Sequence, residues 1–259
     1  MSVDLFAPGS PQTLALLGAR VGGLVLIAPV FSTKAIPTTV KTVVIILLTV
    51  FLQPIAMQHN ALVPTITPES FLGETLVGFG LGLGAALLVG AANVAGDLMG
   101  MQIGLSGASV LDPTNNSQEN VLGMFANMFA LTLLLSLDAH LVMIDAIAKS
   151  LRLVPIGTGL HAEGLRAMVG SAGMLFGLGL QFSAPVICAA LVANTALAIL
   201  GRAAPQLNIL SVAFPVQIGI GLLAFAATIP FIGAFYHGWT GAYSNTIDHV
   251  LSALVRGGA

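Results

Sequence analysis

Charge is what this sequence lacks most. Lys, Arg, Asp and Glu together make up 7% of its 259 residues, where soluble domains run near 25%, so the chain carries too little polar surface to cover a globule of its size in water. With a mean hydropathy of +0.99, that scarcity excludes a nucleic-acid binder, a disordered tail and almost any cytosolic enzyme. The eight cationic and ten anionic side chains leave a net charge of -2, too close to balance to attract a charged polymer. A lone cysteine, Cys188, excludes an intramolecular disulfide, and its apolar neighbours mark it as a small core hydrophobe. The first dozen residues hold Asp4 and no Lys or Arg. They therefore lack the basic region of a cleavable signal peptide and are expected to stay in the mature protein.

What is abundant is apolar run length. Apolar segments suited to crossing a bilayer as helices, which takes about 20 residues, run from Leu14 to Phe31 (interrupted by Arg20), Val40 to Met57, Thr75 to Gly96 and Val121 to Leu137. Ala167 to Gly201 and Ala203 to Ile247 are longer still, 35 and 45 residues divided only by Arg202. A straight helix of 35 residues would reach about 52 Å, well beyond a hydrocarbon layer of about 30 Å. Such runs must break, with Pro185, Pro205, Pro215 and Pro230 as candidate break points, or be covered by protein. No linker or low-complexity segment divides the chain. The expectation is a single all-α domain over residues 1–259, of integral-membrane type, built from helical hairpins and broken apolar helices.

A six-crossing arrangement would place Lys34, Lys41 and Arg202 on one side and Lys149, Arg152, Arg166 and Arg256 on the other. That near-even division gives no orientation by the positive-inside rule. It argues that the number of crossings differs or that some of the apolar segments do not face lipid.

Glycine is the second abundance, with 30 residues. Gly78 and Gly82, Gly80 and Gly84, Gly96 and Gly100, and Gly173 and Gly177 recur at four-residue spacing, which lets helices approach closely. This points to tight helix packing, within the chain or in an assembly. Within the apolar stretches stand Arg20, Glu74, Asn93, Asp97, Asn127, Asp138, His140, Asp145, Asn194, Arg202 and Gln217. A charge at a helix centre in lipid costs about 2.5–3.5 kcal/mol, so these groups are expected to face protein or water. Arg20, Asn93, Asp97, Asp138, His140 and Arg202 are the candidate buried polar set. Spacing alone shows no proton or substrate path.

The most polar stretch is Leu98 to Asn120. Asp112 and Pro113 suit the start of a type I turn, Asn116 suits a helix cap, and Glu119 stands in capping-box position. The loop from Gly104 to Asn115 reads either as an exposed connection or as a segment folded into a protein-lined cavity. Three motifs fail on inspection. Gly80, Gly82 and Gly84 lie within a helix with no preceding strand, so they are no nucleotide fingerprint. Asp138, His140 and Asp145 lack metal-ligand spacing. Gly104-Leu105-Ser106-Gly107 matches an intramembrane serine-protease pattern, with His140 or His237 as base, but no oxyanion-hole residues accompany it. A small-solute transporter would call for an internal repeat, and none is convincing. No catalytic residue, cofactor or metal is expected.

The segment AGDLMGMQIGLSGASVLDP from Ala95, LDAHL around His140, LVPIG from Leu153 and GRAAPQLNIL from Gly201 together resemble the FliR family of flagellar export-gate proteins. Ala19-Arg20, Ala28-Pro29-Val30, Ala35-Ile36-Pro37 and Val40-Lys41 extend the resemblance over nearly the whole chain. It implies a non-enzymatic subunit of the type III export apparatus in the bacterial inner membrane at the flagellar basal body. The implied partners are FliP-like, FliQ-like and FlhB-like subunits and the unfolded flagellar proteins that pass through the gate. It further implies that the loop Gly104, Leu105, Ser106, Gly107, Ala108, Ser109, Val110, Leu111, Asp112, Pro113, Thr114 and Asn115 helps plug the closed pore. The family's usual Asn-Gly-His stands here as Asp138-Ala139-His140, a departure that adds a carboxylate. Virulence-secretion subunits share the fold, but the Gly-Leu-Ser and Asp-Pro pattern favours the flagellar branch.

Overall fold

The computed structural model describes residues 9–33, 35–59, 63–103, 121–157, 162–203, 213, 215–234 and 238. Among these residues there is no strand. The helices are α1 (Ser10–Ile27), α2 (Pro29–Ser32), α3 (Thr38–His59), α4 (Pro68–Ile103), α5 (Val121–Ser136), α6 (Ala139–Leu153), α7 (Ala162–Ala203) and α8 (Pro215–Ala234). Five of them, α1, α3, α4, the Leu180–Ala203 part of α7 and α8, are long and apolar enough to cross a membrane. The number becomes six if α5 and α6 count as one broken span.

Local chemistry explains most of the ends. Before α1, Gly9 adopts the left-handed region at φ 86, where glycine pays no steric penalty. Ala28 precedes Pro29 and is extended, because a proline ring excludes helical geometry from the residue before it. At the start of α4, the Thr67 amide donates to Ser70 Oγ (2.9 Å) and the Ser70 amide donates to Thr67 Oγ1 (3.1 Å). This reciprocal cap has Pro68 in the first helical position, where no amide is needed. Between α5 and α6 the chain turns at Asp138, at φ 53 the one described non-glycine residue with positive φ.

Two of the expected break points do not break a helix. Pro185 and Pro230 lie inside α7 and α8, and Pro215 opens α8; Pro205 lies outside the described residues. At 42 residues, α7 extends about 63 Å, so the long uncharged run is one helix rather than a hairpin. Nor is its Leu180–Ala203 part covered within this chain, where 17% is buried, the same share as in Pro215–Ala234.

The described residues form two compact units, and the division falls within α4, α5 and α7. The first contains α1, α2, α3, α4 up to Leu87, and α6. Its core joins Leu16, Leu17, Val21 and Leu24 of α1 to Leu52 and Ala56 of α3, Val77 and Leu81 of α4, and Met143 and Ile147 of α6. Ser10 meets Gln53, and Gly18 meets Thr49, so α1 and α3 run antiparallel. Arg20 lies against Gly78, and Ala28 against Gly82, so α1 and α4 run parallel. The second unit contains Leu88–Leu133 and Met174–His237. There Ala95, Met99 and Ile103 of α4 pack with Ala126 and Ala130 of α5, Phe182 and Val186 of α7 and Phe225 of α8. Phe125 meets Phe225 edge-on at 5.8 Å and stacks on Phe129 at 6.3 Å.

Candidate functional site

The expected plug segment, Gly104 to Asn115, lies outside the described residues. What the structure does place is a buried polar network in the first unit, centred on Arg20. The Arg20 side chain is wholly buried. Its Nε donates to Glu74 Oε2 at 2.6 Å, and its Nη1 donates to Ser150 Oγ and to the Val154 carbonyl, both at 3.0 Å. Glu74, 2% exposed, uses its other oxygen to accept the Gly157 amide at 2.9 Å. Ser150 passes the chain on by donating to the Ile147 carbonyl at 2.8 Å. One ion pair thus ties α1, α4 and α6 together and holds both ends of the 154–157 turn.

Glycines make this approach possible. A Cβ on Gly78 would run into the Arg20 carbonyl and lie 2.9 Å from the Leu24 amide, and one on Gly23 would collide with the Thr75 backbone. Gly82 continues the seam, its Cβ position 3.1 Å from the Ala28 amide. Backbone contact at Gly78 brings the Arg20 guanidinium within reach of Glu74, one turn earlier on α4. The turn itself needs Gly157, which sits at φ +90. Removing either ion-pair partner would strand the other, at a cost of about 3–5 kcal/mol for a buried charge.

In the second unit the tightest crossing is between Gly96 and Gly123. A Cβ on Gly96 would lie 2.6 Å from the Gly123 Cα, and one on Gly123 would press on the carboxylate of Asp97 and lie 3.4 Å from Asn93 Oδ1. Asn93 and Asp97, four apart on α4, therefore cover Gly123 of α5. The Gln217 side-chain amide donates a hydrogen bond to Asn194 Oδ1, which joins α8 to α7. Beside Ala92, Ala126, Phe182 and Phe225 lies an apolar void of about 10 Å³. That is too small to hold anything beyond about one water, and its walls offer a water no partners.

The remaining expected residues divide by position. Asn93, Asp97 and His140 are half-buried, and His140 Nδ1 is buried without a hydrogen-bond partner. Asp138 and Arg202 are exposed rather than buried. Asp138 stands at the corner between two helices and Arg202 in the last turn of α7, where a charged end projects from the helix. Cys188 is also exposed, so it is not the core residue its apolar neighbours suggested; it lies on a helix face that this chain leaves open. Of the expected packing glycines, Gly100 is buried and Gly80 and Gly84 are half-buried. Gly177 is exposed, with nothing within 4 Å of its Cβ position. Gly173 falls in a part of α7 whose packing is outside the described residues. Ser150, Gly23 and Gly123 were not singled out by the sequence, Gly157 stood there only as the end of the LVPIG motif, and Glu74 was noted there without its partner. Among the described residues no group of three His, Cys, Asp or Glu side chains gathers as a metal site.

Residues 12–242 match the family model described as bacterial export proteins, family 1. The chain is 33% identical over 218 residues to the flagellar biosynthetic protein FliR of Pectobacterium carotovorum subsp. carotovorum, covering 83% of this chain and 84% of that one. It is 29% identical over 239 residues to FliR of Escherichia coli K12, covering 91% of each. The FliR protein of Caulobacter vibrioides is likewise 29% identical over 238 residues, covering 90% of this chain and 94% of the relative. Matched from residue 12 to residue 242, this chain belongs to family 1 of the bacterial export proteins.

Proposed function

We propose that this chain is a component of the flagellar type III export apparatus, embedded in the bacterial inner membrane at the basal body. The observation that carries the reading is the family match over residues 12–242, together with similarity over most of their length to relatives named as flagellar biosynthetic proteins. Physical chemistry supports an assembled state. The Leu180–Ala203 part of α7 and all of α8 are apolar yet mostly uncovered in the single chain, and α7 is longer than a bilayer is thick. Such surface suits contact with sister subunits, and FliP-like, FliQ-like and FlhB-like chains are the partners this reading assigns.

On this reading the chain performs no chemistry on its cargo. It contributes to the wall of a channel for unfolded flagellar proteins, and the segment Gly104–Asn115 closes that channel at rest. The segment carries one charged residue, Asp112, and no cation to pin it. Glycines at 104 and 107 permit the backbone to rearrange when a polypeptide arrives. Deleting Gly107 to Val110 raises ion leakage through the assembled complex if this assignment is correct; unchanged conductance removes it. A strain lacking the whole gene that still swims would remove the export role itself.

A further inference from the structure

We propose that the outward face of α3, formed by Val43, Ile46, Leu47 and Phe51, is a lipid-contact surface covered by phospholipid acyl chains rather than by a neighbouring subunit. This goes beyond the export reading, which assigns protein partners and leaves open where the chain meets lipid.

The polarity of α3 is arranged inside out. Between Thr42 and Gln58 it carries no charge, and its two polar side chains in the interior of that stretch point inward. Thr49 is 6% exposed, with its hydroxyl donating to the Ile45 carbonyl at 2.6 Å, and Gln53 is 1% exposed and bonds Ser10 of α1. The outward positions are apolar, with exposures rising from 49% at Val43 through 57% at Ile46 and 63% at Leu47 to 75% at Phe51. A water-facing helix would show the opposite pattern.

Side-chain size separates lipid from protein as the covering. Where α1 and α4 meet backbone to backbone they do so through Gly23, Gly78 and Gly82, as expected when association in an apolar medium depends on close backbone approach. The outward row of α3 contains nothing smaller than valine. It offers no groove into which another helix could seat its backbone, whereas fluid acyl chains conform to a row of bulky side chains.

Length fits as well. Lys41, whose Nζ donates to the Ser32 carbonyl at 3.0 Å, and the exposed Gln58 bound the uncharged stretch. They stand seventeen positions apart, a rise of about 26 Å against a hydrocarbon thickness of about 30 Å.

The test places the photoreactive amino acid benzoylphenylalanine at Ile46, Leu47 or Phe51 of the full chain, irradiates native membranes from swimming cells, and measures the intact mass of the recovered chain. Phe51 exchanges one aromatic ring for a larger one and is the least disturbing position. Phospholipid-mass adducts at all three positions, without polypeptide adducts, are expected. Adducts to a polypeptide from cells that swim overturn the lipid assignment while leaving the export role standing, and so does the absence of any adduct. In a second measurement, Leu47→Cys in a Cys188→Ala background should react with a lipid-soluble maleimide and not with a membrane-impermeant, water-soluble one. Equal labelling by both overturns the proposal.

Discussion

Consider the removal of Arg20. In Arg20→Ala three hydrogen bonds disappear, and the Glu74 carboxylate stays buried with the Gly157 amide as its remaining partner. The loss expected is about 3–5 kcal/mol, the range for stranding one member of a buried pair. Glu74→Ala strands the guanidinium instead, still bound to Ser150 and the Val154 carbonyl, and falls in the same range. Arg20→Met and Glu74→Leu, each alone, strand the same partners while keeping apolar volume, and combining them removes both charges. The double variant should lose no more than either single variant, because no uncompensated charge remains. The cycle therefore carries a coupling of at least about 3 kcal/mol, well above the roughly 0.3–0.5 kcal/mol scatter of independent sites. The assay is unfolding of the purified protein in mixed micelles with increasing SDS, followed by far-ultraviolet circular dichroism. Additivity of the two single variants within that scatter would refute the network as the tie between α1, α4 and α6.

The glycine seam makes a paired prediction. Gly78→Ala forces a methyl group into the Arg20 carbonyl and should destabilise by about 1–3 kcal/mol, the usual penalty of overpacking. Gly22→Ala on the same helix pair meets nothing within 4 Å and should stabilise α1 by up to about 1 kcal/mol through helix propensity; the same SDS titration reads both. At the corner between α5 and α6, Asp138→Asn should be neutral. Asp138→Val should destabilise by about 1–2 kcal/mol, because a side chain branched at Cβ resists positive φ; equal unfolding midpoints for the two variants would contradict the strain argument.

Helix positions were largely legible because a scarcity of charge leaves only one economical way to bury backbone polar groups, and the uncharged runs delimit α3, α5 and most of α4. The end of α1 at Ala28-Pro29 follows from proline sterics alone. Proline was less informative inside the long runs. Pro185 lies within α7, where a helix tolerates the loss of one backbone hydrogen bond when both flanks remain favourable, so a break point chosen on residue type alone was misplaced. The pairing of Arg20 with Glu74 was not legible at all. Fifty-four positions separate them, and a burial cost says that a charge needs a partner without saying which.

Four-residue glycine spacing marked both Gly78 with Gly82 and Gly80 with Gly84 without showing that the first pair meets α1, because spacing gives a face and not the neighbour on it. Gly123 shows the reverse. It lacks a four-residue companion and still receives Asn93 and Asp97. Exposure of Cys188 and Arg202 has the same origin as the uncovered surface of α7. Sequence hydropathy reports that a segment avoids water, and it does not report whether its own chain is what shelters it.

That distinction is the central claim: much of the apolar surface of this chain is made to be covered by other subunits. Solubilisation of native membranes in mild detergent, followed by mass spectrometry of the intact particle, tests it most directly. The account predicts a particle several times the 26.3 kDa mass of this chain, with FliP-like and FliQ-like polypeptides in it. A monodisperse particle of this chain alone, surrounded only by lipid and detergent, would contradict it.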